Sequence, residues 1–275
     1  VTGSTGNDTL TISGGQLDNE ASAILATSER FKDIEELSLR ENRKFRSLDQ
    51  IGPLFEDGSL PKLERLDLSY IFMDDAIADQ LVGWSQFPKL KELNLEYTHT
   101  LAPLADAIAR VPETVQFQME KISLSGGSDR DYEAITSLVQ SSIFKKITHI
   151  KLDNVDLSSQ MIHSLGIPKE NPILELEIES SHTSIIEEIT NTEGFSELRK
   201  LETNTNALYE RGEHVMELIA QNLTKLEELF LKNSSLSPSD IEILKDDTVL
   251  PNLKIIDLYG SDEDIPEDDP TIIAL

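Results

Sequence analysis

The sequence predicts an α/β fold built as a solenoid of stacked strand–helix repeats. Three observations carry that prediction. A short apolar signature recurs nine times at near-constant phase. Stretches with helical apolar spacing lie between the copies. A single copy is too small to bury its own apolar face, so neighbouring copies must share a continuous core.

The signature places apolar residues at relative positions 1, 4 and 6. It reads Ile34, Leu37, Leu39; then Leu63, Leu66, Leu68; Leu90, Leu93, Leu95; Met119, Ile122, Leu124; and Ile147, Ile150, Leu152. It continues as Ile173, Leu176, Ile178; Leu226, Leu229, Leu231; and Leu253, Ile256, Leu258, with one imperfect copy at Leu198, Leu201, Thr203. Successive first positions are 25 to 29 residues apart. Counting back 27 from Ile34 reaches Asn7 and puts Leu10 and Ile12 in register, which predicts a tenth, N-terminal strand. Strand alternation turns positions 4 and 6 inward and positions 3, 5 and 7 outward.

The intervening stretches read as helices. Asp74 and Asp75 lead into a segment with Ile77, Leu81 and Trp84 at helical spacing, and Leu101 to Val111 repeats the pattern with Leu104, Ile108 and Val111. Ser237-Pro238-Ser239-Asp240 is a helix start, with a cap, a proline in the first turn and an acid after it. The whole chain, 1–275, reads as one domain. Residues 1–33 form a cap strand and a first helix carrying Leu17, Ala21, Ile24, Leu25 and Phe31. About nine repeats fill 34–258, and 259–275 form an acidic tail or cap in which Ile272, Ile273 and Leu275 can fold back.

The segments LPKLERLDLSY, FPKLKELNLEY and LTKLEELFLKNSSLS resemble leucine-rich repeats of the longer, helix-containing class typified by ribonuclease inhibitor. The resemblance spans about residues 7 to 260. It implies a right-handed βα horseshoe with a parallel sheet on the concave face and helices on the convex face. It also implies a protein that binds other proteins. The ninth repeat position, usually Asn or Cys bonding to neighbouring backbone, is Asn only at Asn42 and Asn206, so the repeats are divergent.

With the register fixed, the concave face can be read by column. Position 3 runs Glu36, Arg65, Glu92, Lys121, His149, Glu175, Lys200, Glu228, Ile255, with nearly alternating sign. Strands ~4.8 Å apart make these direct neighbours, each pair contributing roughly 0.2–1 kcal/mol. That column reads as a self-satisfied ladder fixing repeat order. Positions 5 and 7 are less balanced: Asp153, Glu177, Glu179 and Glu202 cluster, with Lys151 nearby. They read either as a solvated acidic face or as a surface for a basic partner. Phe230, Ile255 and Tyr259 form an apolar patch, open to a partner or covered by the tail. Tyr70 and Tyr97 form a third, smaller candidate.

Composition narrows the function. With 24 Lys+Arg against 51 Asp+Glu, the net charge is −27, which disfavours nucleic acid and anionic membranes as partners. No cysteine is present, so thiolate metal sites, cysteine nucleophiles and disulfides are excluded. The five histidines form no H-E-x-x-H, and no Walker loop, G-x-G-x-x-G or G-x-S-x-G occurs. Glu175, Glu177 and Glu179 share a face, but on an open sheet rather than in a pocket that would shift a pKa. The expected protein is a monomeric, non-catalytic interaction module without cofactor or metal, whose protein partner carries a basic surface patch. In composition it is similar to the leucine-rich-repeat effectors that intracellular bacteria such as Legionella inject into host cells. That likeness implies a cytoplasmic location, or the host cytosol. The alternative is a GTPase regulator similar to the Ran activators, with Arg40 as its column-7 arginine.

Overall fold

A computed structural model describes residues 9–14, 19–29, 31–42, 54, 59–82, 88–98, 100–112, 118–126, 129–141, 146–155, 158–166, 172–179, 185–204, 215–232, 238–246 and 248–257. The chain divides into two compact units, Val1–Ile147 and Thr148–Leu275. In the first unit, strands β1 (Thr9–Thr11), β2 (Glu36–Ser38), β3 (Arg65–Asp67), β4 (Glu92–Leu95) and β5 (Lys121–Ser125) pair in sequence order, all parallel. Helices α1 (Asn19–Thr27), α2 (Asp75–Val82), α3 (Ala102–Ala109) and α4 (Asp129–Gln140) alternate with them. In the second unit, β6 (His149–Asp153), β7 (Glu175–Glu179), β8 (Lys200–Asn204), β9 (Glu228–Lys232) and β10 (Ile255–Asp257) do the same, with α5 (Ser159–Leu165), α6 (Ile185–Thr190), α7 (Val215–Asn222) and α8 (Pro238–Leu244) between. Each unit is a βα leucine-rich-repeat solenoid.

The expected register is the one observed. Leu10 stands opposite Leu37, Glu36 opposite Arg65, His149 opposite Glu175, and Lys200 opposite Glu228. Positions 4 and 6 are buried from Leu37 to Leu231 and meet the apolar faces of the helices, such as Ile77 and Leu81, Leu104 and Ile108, or Met216 and Ile219. In the imperfect repeat, Thr203 occupies an inward position, fully buried, and its hydroxyl has no hydrogen-bond partner among the described residues. Thr203→Val keeps the shape and removes the orphaned polar group. It is expected to stabilise the protein by about 1 kcal/mol, read as a raised urea midpoint at unchanged slope.

The turn after each strand has its own rule. Glu41, Tyr70, Tyr97 and Asn154 all have positive φ, between 52° and 63°, and all occupy position 8. The left-handed residue swings the chain off the sheet toward the helix. At position 9, Asn42 is buried and donates from Nδ2 to the carbonyls of Ile12 (2.6 Å) and Leu39 (2.7 Å), tying one repeat to the preceding one. Asn206 lies outside the described residues.

Helix starts follow the sequence. Asp74 accepts a hydrogen bond from the Ile77 amide at 2.8 Å, capping α2, and Pro238 opens α8. Two buried aspartates cap neighbouring segments: Asp131 accepts from the Leu101 amide (3.0 Å) and Asp240 from the Met216 amide (3.2 Å). The first helix departs from expectation. Ile24 is 63% exposed, because Ser22, 200° away around the helix, marks the buried face. Phe31 is buried, but on a 3-10 turn at Phe31–Asp33 after the helix has ended.

A close backbone approach locks α5 to the turn after α6. Gly166 caps the C-terminus of α5, and Gly194 sits in a 3-10 turn at Glu193–Phe195. A Cβ on Gly194 would lie 1.7 Å from the Gly166 carbonyl oxygen. Only glycine fits there.

Candidate functional site

The open sheet face of the second unit carries most of the candidate residues. Its centre is a chain of charges running diagonally across strands. Lys200 Nζ lies 2.7 Å from Glu177 Oε1 on β7 and 3.3 Å from Glu202 Oε2 on its own strand. Lys232 on β9 also holds Glu202. The three members Lys200, Glu177 and Glu202 are only 20%, 18% and 24% exposed. Burial works against the Lys200 ammonium, but Glu177 and Glu202 outweigh it and raise its pKa. Burial likewise pushes the Glu202 carboxyl up, but Lys232 and Lys200 hold it below its ordinary value. The expected acidic cluster is thus half neutralised from within. Lys200 leaves the position-3 ladder to do this, while His149 Nε2 and Glu175 Oε1 keep a ladder contact at 2.8 Å.

The rest of the cluster behaves differently. Asp153, expected to face outward, is 6% exposed. It ends β6 and stands opposite Glu179 on β7. The hydrogen bond between the two carboxyls is the first cause of a raised Glu179 pKa. Burial adds to it, and Asn204, donating at 2.8 Å, opposes it. An acid with a raised folded-state pKa lowers stability above that pKa, and this cost vanishes as pH falls below the unfolded value, about 4.3. Glu179→Gln is therefore expected to stabilise the protein at pH 7 by about 0.5 kcal/mol, discounted for its exposure to solvent and read as a raised urea midpoint, and to give no gain at about pH 3.

The apolar patch is partly described. Phe230 on β9 is half-buried beneath Lys200, whose Nζ lies 5.3 Å from the ring centroid. Ile255 on β10 is 41% exposed. Asp257 stands opposite Phe230, and Ile255 opposite Glu228. Tyr259 lies outside the described residues.

The first unit presents a different surface. Tyr70 and Tyr97 stack with centroids 4.5 Å apart at 14°, and the Arg40 guanidinium lies 5.2 Å over Tyr70. Arg40 Nε is also 3.3 Å from Glu41. The arginine of the GTPase-regulator reading is thus engaged within its own unit. Position 7 is buried here too, at Ser69 and Ser125, because short side chains sit among longer neighbours.

Two further charge ladders went unread in the sequence, at positions 0 and 2. Asp33–Lys62 (2.6 Å) belongs to the first, with Glu197–Lys225. Glu64–Lys91 (3.0 Å) and Glu227–Lys254 belong to the second, and in both pairs the lysine holds the glutamate below its ordinary pKa. The signal was available at position 2, where Glu64, Lys91 and Glu120 alternate in sign, as do Arg199, Glu227 and Lys254; at position 0 only isolated neighbours, Asp33 with Lys62 and Glu197 with Lys225, are opposite.

No protein-family model matches the chain, and no curated protein matches it in sequence. Solved structures do match in fold. Rad7, from the yeast complex of Rad7 and Elc1, matches with a TM-score of 0.56 at 17% identity, over 96% of this chain and 73% of that one. An internalin (InlF) from Listeria monocytogenes matches with a TM-score of 0.43 at 14% identity, over 94% and 82%. At these identities the likeness is one of fold. Among the described residues, no helix is long and apolar enough to cross a membrane, and no group of three or more His, Asp or Glu could hold a metal ion.

Proposed function

We propose that this chain is a non-catalytic, monomeric protein-interaction module that takes a protein partner on the open sheet face of its second unit. The observation that carries this reading is the adjacency of Phe230 and Ile255, an aromatic and an exposed aliphatic residue, to a rim of carboxylates. Apolar anchors ringed by charge are the usual composition of a binding hot spot. The partner supplies an apolar group over Phe230 and Ile255, and basic groups toward Glu177, Glu179 and Glu202, with Asp153 behind Glu179. Tyr259 completes the anchor set. The net charge of −27 supports a basic protein partner over nucleic acid or an anionic membrane. The yeast protein of the same fold belongs to a complex with another protein. The absence of cysteine supports a reducing compartment. We place the protein in a cytoplasm, or, as an effector, in that of a host cell.

The test is affinity capture with the intact chain beside Phe230→Ala/Ile255→Asp. A true partner is retained by the unaltered chain and is at least tenfold weaker with the variant, and its binding weakens as salt rises. If every captured protein binds both chains equally, this surface is not the site.

A further inference from the structure

The first unit carries a surface of its own, at the turns that follow its strands. The left-handed conformation of position 8 costs backbone energy in a bulky residue and less in asparagine. Asn154 fills that position in the second unit, yet Tyr70 (φ 60°) and Tyr97 (φ 55°) fill it in two successive repeats of the first. Burial offsets little of the cost at Tyr97, which is 41% exposed. What the two tyrosines gain is each other: their rings stack with centroids 4.5 Å apart, close to the spacing of the strands beneath. The Arg40 guanidinium, one repeat earlier, lies 5.2 Å over the Tyr70 ring. Along the repeats the order is guanidinium, ring, ring.

The next step of this column is a glycine. Gly126 holds position 8 of the following repeat, and a Cβ there would lie 2.9 Å from Cβ of the buried Asp131. The Tyr97 amide donates to Ser125 Oγ, which ties its turn to that repeat. Position 8 therefore supplies no side chain to continue the stack past Tyr97. The chemistry of the missing member follows from its surroundings. The chain carries a net charge of −27, and Glu96 precedes Tyr97 at the end of its strand. Both favour a cation and disfavour a second copy of this chain. Among cations, a guanidinium is flat, weakly hydrated and stacks on aromatic faces, whereas an ammonium is a strongly hydrated point charge. Arg40 shows the same preference at the other end of the stack.

We propose that the exposed ring of Tyr97 takes an arginine side chain of a protein partner, lying over Gly126, so that the Tyr70–Tyr97 pair is held between two guanidinium groups. This contact belongs to the first unit and is independent of the second-unit surface. The test titrates the intact chain, with its tyrosine rings isotopically labelled, against the capped peptide Gly-Arg-Gly and its lysine counterpart, followed by NMR. The Tyr97 ring signals are expected to move saturably with the arginine peptide, and the lysine peptide to bind about threefold more weakly. Tyr97→Phe keeps the ring and should keep the affinity. Tyr97→Asn keeps a residue suited to the turn and should bind about fivefold more weakly. Phe230→Ala/Ile255→Asp should leave the titration unchanged, which separates this contact from the one in the second unit. Equal affinity for the two peptides, or unaltered affinity in Tyr97→Asn, would mean attraction to an acidic chain without stacking and would overturn the proposal. So would Tyr97 signals that do not move.

Discussion

Gly194→Ala is expected to destabilise the second unit by about 3 kcal/mol or more, at the upper end of overpacking costs. The methyl group would meet the Gly166 carbonyl oxygen and carbon at 1.7 and 2.4 Å, and both atoms are backbone. A flexible side chain could swing away; a helix C-cap cannot, without opening the contact between α5 and the turn after α6. Gly166→Ala should cost less, because its added Cβ meets the Thr192 methyl at 2.2 Å and the Phe195 ring edge, which are side-chain atoms. Chemical denaturation of both variants checks the order. Equal midpoints for Gly194→Ala and the unaltered protein would mean that the two backbones are not in contact.

Lys200→Met should cost about 2 kcal/mol at pH 7, less than a fully buried pair because the group keeps some exposure to water. Methionine retains much of the stem that lies against Phe230, so the loss reports the charge. The pH dependence follows from two shifts. Glu202 has a lowered folded-state pKa, so its contribution is present above the unfolded value, about 4.3, and is lost as pH falls through the folded one. Lys200 has a raised pKa, so its contribution is present below about 10.4 and is lost as pH rises through the folded value. The gap between variant and parent should be widest from about pH 5 to 10 and narrow at both ends. A gap that stays constant with pH would assign the loss to packing instead.

The repeats were legible because period-27 spacing and strand alternation are both written in the positions of Leu and Ile. The register of every strand pair named above follows from those positions alone. The site was legible only as columns. Strand parity says which residues share a face, but not how far a flexible side chain leans. Lys200 was placed in a ladder with Glu175 and Glu228, and it reaches diagonally to Glu177 and Glu202 instead. Parity places Asp153 outward, yet it is buried at the end of its strand, next to the positive-φ turn at Asn154 and opposite Glu179. Ile24 is expected among the apolar residues of the first helix, yet it lies on the face turned away from the buried Ser22. In each case the missing information is three-dimensional reach, which spacing does not encode.

The position-3 ladder of the first unit has a bearing on ancestry. Glu36, Arg65, Glu92 and Lys121 alternate, so the column has a period of two repeats, not one. Loss of a single repeat, residues 63–89, would bring Glu36 beside Glu92. Loss of two, residues 63–118, would bring it beside Lys121. In this column the unit that can be copied or lost without a like-charge clash is a pair of repeats. A thermal comparison of the two shortened chains, at low and high salt, would show whether gene duplication here is best counted in twos.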